Sequence, residues 1–108
     1  MVIVWTDNAK KHLRSIFDYY KVVAGKNTAI QIVSNIINAA QPLSNFHELA
    51  PIESALIDYP QHFRSLATKD NYKLVYYISD RIYIIAVWDC RRNPKIMKTL
   101  IGRSLKAV

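Results

Sequence analysis

The chain has 108 residues, 51% of them apolar, a single cysteine and a formal charge of +7. That is the size of one domain with a modest core; the composition excludes an internal disulfide framework, a low-complexity linker and a membrane-spanning helix, which needs about 20 consecutive apolar residues. The charge points to a polyanionic partner: RNA, DNA or an acidic protein segment.

In chain order, Val2 to Trp5 is a short apolar run before Thr6, and reads as a strand leading into a helix capped by Thr6. From Asp7 to Ala24 the apolar positions Ala9, Leu13, Ile16, Phe17 and Tyr20 recur every three or four residues, one stripe of an amphipathic helix. Lys10, Lys11, Arg14 and Lys21 lie off that stripe, toward solvent. Gly25 suits a helix C-terminus. Asn27 or Thr28 is the expected cap of a second helix, whose stripe is Ala29, Ile30, Val33, Ile36, Ile37 and Ala40 and which Pro42 stops. So short a joint makes the two helices antiparallel neighbours.

Pro42, Pro51 and Pro60 divide the next stretch into short pieces, and Ile52 to Leu56 reads as a brief helix or an edge strand. Phe63 to Lys69 reads as a strand with Phe63, Ser65 and Ala67 on one face and Arg64, Leu66 and Thr68 on the other. Asp70-Asn71 is a turn signal. Tyr72 to Ser79 and Ile82 to Asp89, joined at Ser79-Asp80-Arg81, are apolar on both faces, as in a sheet covered from both sides. The expected fold is α+β. An N-terminal strand precedes an antiparallel two-helix hairpin packed on a small antiparallel β-sheet. A short C-terminal tail or helix around Lys95 to Leu100 completes one domain, 1–108.

Catalytic signatures are few. Gly25 and Gly102 are the only glycines and make no phosphate loop. One cysteine and the scattered His12, His47 and His62 lack zinc spacing, so neither metal nor cofactor is expected. A Cys90–His62 nucleophile pair weighs less than Cys90 as a small packed hydrophobe. What remains is positive charge: Arg64 in one strand, Lys69 and Lys73 about a turn, and Arg91 and Arg92 beside Asp89 after the last strand. Gathered on one side of the sheet, these groups suit phosphate, which arginine grips with a rigid fork. The competing reading is a solvated basic rim with ion pairs to Asp70, Asp80 or Asp89. Tyr72, Tyr76, Tyr77 and Tyr83 interleave with the cations, either as stacking platforms for bases or as half-buried packing residues.

The order of these pieces resembles the RelE/ParE family of toxins from bacterial type II toxin–antitoxin systems. The resemblance runs through Trp5, Ala9, Leu13, Ile16 and Tyr20, then Phe63-Arg64-Ser65-Leu66. It continues through Tyr72-Lys73-Leu74-Val75-Tyr76-Tyr77-Ile78 and ends in Trp88-Asp89-Cys90-Arg91-Arg92-Asn93-Pro94. It implies a cytoplasmic toxin masked by a cognate antitoxin with an acidic segment, and no membrane partner. Its first implied activity is ribosome-dependent mRNA cleavage without metal, by attack of a ribose 2′-hydroxyl on the adjacent phosphate. Arg64, Asp89, Arg91 and Arg92 would then be the catalytic set, and Lys69, Lys73, Tyr72 and Tyr76 the substrate-binding set. The alternative is a non-catalytic inhibitor of DNA gyrase, and a third is a degenerate member that binds antitoxin and poisons nothing. Two departures bear on this choice. Asp89 stands where many cleaving members carry histidine, as a base or as the ion-pair partner of an arginine. No aromatic residue follows Trp88.

Overall fold

The computed structural model describes residues 1–106; Ala107 and Val108 of the expected 1–108 domain lie outside the described residues. The elements are β1 (Ile3–Trp5), α1 (Asp7–Ala24), α2 (Lys26–Ala39), β2 (Arg64–Ala67), β3 (Tyr72–Ile78), β4 (Ile82–Asp89) and α3 (Met97–Lys106). The sheet order is β1-β4-β3-β2. β2, β3 and β4 form the expected antiparallel meander. β1 lies parallel to β4, with Ile3 opposite Ile82 and Trp5 opposite Ile84. The sheet is therefore mixed rather than wholly antiparallel. The helical hairpin supplies the long crossover that a parallel pairing needs.

Thr6 caps α1 as expected. Its Oγ1 accepts the Ala9 N–H at 3.3 Å and donates to the Ile84 carbonyl at 3.0 Å, so the group that starts the helix also ties it to β4. Gly25, at φ 95°, ends α1 and opens α2 at once. α2 thus starts before the Asn27 or Thr28 cap predicted for it, because a residue free to take positive φ serves both helix ends. The segment Ile52 to Leu56 has both predicted characters: Ile52 makes one antiparallel bridge to Arg64, and Ser54–Leu56 is a 3₁₀ turn.

Each face of the sheet carries its own core. On one face Leu74, Tyr76 and Ile84 pack against Ala9, Ile16 and Ile36 of the helical hairpin. On the other, Val75, Ala86 and Trp88 pack against Leu56, Phe63, Met97 and Ile101. α3 is longer than the short tail helix predicted, since Met97 and Ile101, one turn apart, are both buried on the sheet. This second cover explains why the central strands are apolar on both faces. Among the described residues no helix is long and apolar enough to cross a membrane.

Candidate functional site

The register assigns the predicted residues to separate places. Arg64 lies opposite Tyr76 in β2, and Asp89 lies opposite Tyr72 in β4. Two strand spacings across and the Tyr72-to-Tyr76 stretch along put them roughly 16 Å apart. Arg64 is half-buried, and its Nη1 donates to the Ala50 carbonyl at 2.7 Å. The Tyr76 hydroxyl donates to the His47 carbonyl at 2.8 Å, and its ring is fully buried. Both side chains hold the 47–50 loop onto the sheet.

Asp89 and Arg91 close on one another. Nε and Nη2 of Arg91 each donate to an Asp89 carboxylate oxygen at 3.0 Å, and the Arg91 N–H adds a bond of 2.9 Å. That fork holds the Asp89 carboxyl below the ordinary value and the Arg91 guanidinium above it. Arg92 lies 5.0 Å over the Trp88 ring.

Lys73 projects from the opposite face of β3 and is paired with Glu53. Among the described residues Glu53 is the one buried charged residue, and it also accepts the Ser65 hydroxyl at 2.8 Å and the Ala55 N–H at 2.9 Å. Burial alone would raise its carboxyl; Lys73, Ala55 and Ser65 outweigh that and hold it below the ordinary value. Lys69 is exposed beside the turn, and Tyr72, only 4% exposed, has burial and then Tyr20 pushing its hydroxyl up. Cys90 is exposed rather than packed as expected; partial burial of its thiol raises it, and it stays protonated at neutral pH.

Tyr72, Asp89, Arg91 and Arg92 do converge, with side chains of α1, at the open edge of β4. β1 pairs with β4 only as far as Ile84, so the rest of β4 has an open edge. The Cys90 N–H donates to the carbonyl of Asn71, the residue before β3, so alternation turns the backbone of Ile85, Val87 and Asp89 toward that edge. α1 meets it with two polar side chains one turn apart. Asn8 Nδ2 donates to the Ile85 carbonyl at 2.9 Å, and His12 Nδ1 accepts the Val87 N–H at 3.0 Å. Side chains thus satisfy a strand edge that would otherwise invite another strand.

With Nδ1 accepting, the neutral His12 ring carries its proton on Nε2. Burial and then the nearby Arg92 hold His12 below its ordinary value, neutral at pH 7. Beside this edge, between α1, the end of β4 and α3, a cleft of about 680 Å³ is lined by His12, Tyr19, Tyr72, Trp88, Arg91 and Arg92, among others. His12 and Glu53 escaped sequence reasoning. For His12 a signal was present: Asn8, His12, Ser15 and Tyr19 recur at helical spacing as a polar stripe beside the apolar one.

A family model described as "ParE toxin of type II toxin-antitoxin system, parDE" matches residues 3–94, from β1 to the residue that follows Asn93. A chain of the "Chromosomal ParDE TA system from P. aeruginosa" superposes with a TM-score of 0.69 at 24% identity, over 81% of this chain and 92% of that one. The likeness carries the strand, two helices, four-stranded mixed sheet and C-terminal helix described above. No protein of curated function matches the chain.

Proposed function

We propose a mode of action from one premise: this chain belongs to the ParE toxin family of type II toxin–antitoxin systems. It acts by binding, as a non-catalytic inhibitor of DNA gyrase, and a cognate antitoxin of the ParD kind holds it silent. The observation that supports this reading is the separation of Arg64 and Lys73 from the cleft that Asp89, Arg91 and Arg92 line. Attack of a 2′-hydroxyl without metal requires a proton acceptor, a proton donor and cations about one phosphate. Here Arg64 and Asp89 stand roughly 16 Å apart by strand geometry. Asp89 is engaged by Arg91, and Lys73 by Glu53 on the other face. A binding toxin needs none of them to converge, which sets mRNA cleavage second. The charge of +7 suits an acidic antitoxin segment, whose approach it would steer.

Two assays run side by side test this. Purified protein added to gyrase, ATP and relaxed plasmid is expected to block supercoiling. In a cell-free translation reaction it is expected to leave the message intact by primer extension. Discrete new 5′ ends that depend on ribosomes, with supercoiling unimpaired, would sink the proposal and restore the cleavage reading.

A further inference from the structure

We propose that the cleft between α1, the end of β4 and α3 binds a phosphorylated aromatic ligand of the nucleotide class, with Arg92 and the His12 Nε2–H on the phosphate. The proposal does not rest on the gyrase reading. It rests first on charge. Arg91 is neutralised by Asp89 through a two-pronged pair. The Arg92 guanidinium lies over the Trp88 ring near the Asp89 carboxylate, yet forms no ion pair with a carboxylate among the described residues. His12 spends its Nδ1 on Val87, leaving Nε2–H as its remaining donor. One uncompensated cation beside one neutral donor is a receptor for an anion, and a guanidinium prefers the flat oxygen pairs of phosphate.

It rests second on shape. A volume of about 680 Å³ lies within the range of small-molecule clefts and leaves room for a body larger than phosphate alone. Beyond the two arginines the walls combine Ile16, Ala86, Ile101, Trp88 and the 56%-exposed Tyr19 with the polar Asn8, Ser15 and Asp89. A base has the flat apolar faces that such walls accept. A free mononucleotide and the phosphorylated end of a single strand share this chemistry.

The test is isothermal titration of the whole chain with AMP, adenosine, inorganic phosphate and a 5′-phosphorylated single-stranded oligonucleotide. Side-chain NMR of His12 and Trp88 reports where each binds. AMP is expected to bind saturably and to shift both side chains, with adenosine and phosphate each much weaker. Arg92→Gln, on an exposed side chain, is expected to weaken AMP about tenfold or more, as losing one charge-assisted hydrogen bond does. Equal affinity for AMP and the oligonucleotide assigns the site to free nucleotide; tighter oligonucleotide binding that Arg92→Gln abolishes assigns it to a strand end. No saturable binding of either, unmoved His12 and Trp88 signals, or an unchanged affinity in Arg92→Gln overturns the proposal.

Discussion

Replacing Arg64 with alanine separates a structural arginine from a catalytic one. Its guanidinium donates to Ala50 at 2.7 Å, a charge-assisted bond worth about 1.5–3 kcal/mol. The second contact, to the Glu48 carbonyl at 3.5 Å, is too long to add much. Ala50 is 2% exposed, so its carbonyl cannot turn to water once the guanidinium is gone. Arg64 itself is half-buried, which places the loss near the middle of that range, about 2 kcal/mol. For a chain of this size that lowers the melting temperature by roughly 8–16 °C and moves the urea midpoint by about 1 M. Arg64→Lys keeps one donor within reach and is expected to lose about half as much. The assay is equilibrium urea unfolding of the three proteins, run beside gyrase inhibition at 25 °C, where the variants remain folded. Inhibition is expected to survive in proportion to the folded fraction. An unchanged midpoint with inhibition or cleavage abolished would refute the structural assignment and make Arg64 part of the working surface.

Three further outcomes follow from contacts described above. Glu53 has a folded-state value below its ordinary one, so its contribution is present above about pH 4.3 and is lost as pH falls through the lower folded value. Glu53→Gln is expected to be less stable than the parent at pH 7, with urea midpoints that converge toward pH 3; parallel curves would contradict the Glu53–Lys73 coupling. His12 is also held below its ordinary value, so its share of stability is intact above about pH 6.5 and declines as the ring protonates and loses its hold on the Val87 N–H. His12→Ala is expected to flatten the stability profile between about pH 7 and 5, and nitrogen NMR of the parent should find the proton on Nε2; a protonated Nδ1 at neutral pH would sink this assignment. Thr6→Ala removes a helix cap and a bond to Ile84, about 1 kcal/mol each, so a calorimetric loss well under 1 kcal/mol would show that water replaces both.

The elements that could be read in advance were those whose signal is local. Thr6 before a periodic run marks the α1 cap, and the two-faced apolarity of β3 and β4 announces a covered sheet. The direction of β1 could not be read, because a three-residue strand carries no mark of the neighbour it will join. α3 was understated because its stripe, Met97 and Ile101, spans a single turn and is followed by Gly102. At the site, Asp89 and Arg91 lie two residues apart, and their pairing was among the readings weighed. The partners of Arg64 and Lys73 come from a proline-divided loop without periodicity, so nothing local predicts them. The part played by His12 depends on where β1 stops pairing with β4, a fact of register that precedes any reading of the ring.

The parallel pairing of Ile3 with Ile82 also bears on how the molecule is made. A ribosome delivers β1 and both helices first, and their sheet-facing side chains Ala9, Ile16 and Ile36 find no sheet to cover until β3 and β4 emerge. Thr6, Asn8 and His12 wait for backbone groups of Ile84, Ile85 and Val87, some 75 to 78 residues later. Closure between positions so distant in sequence is slow compared with local hairpin formation, and a half-made chain leaves an apolar helix face uncovered. Synthesis and closure are thereby coupled: β4 must emerge before the fold can lock.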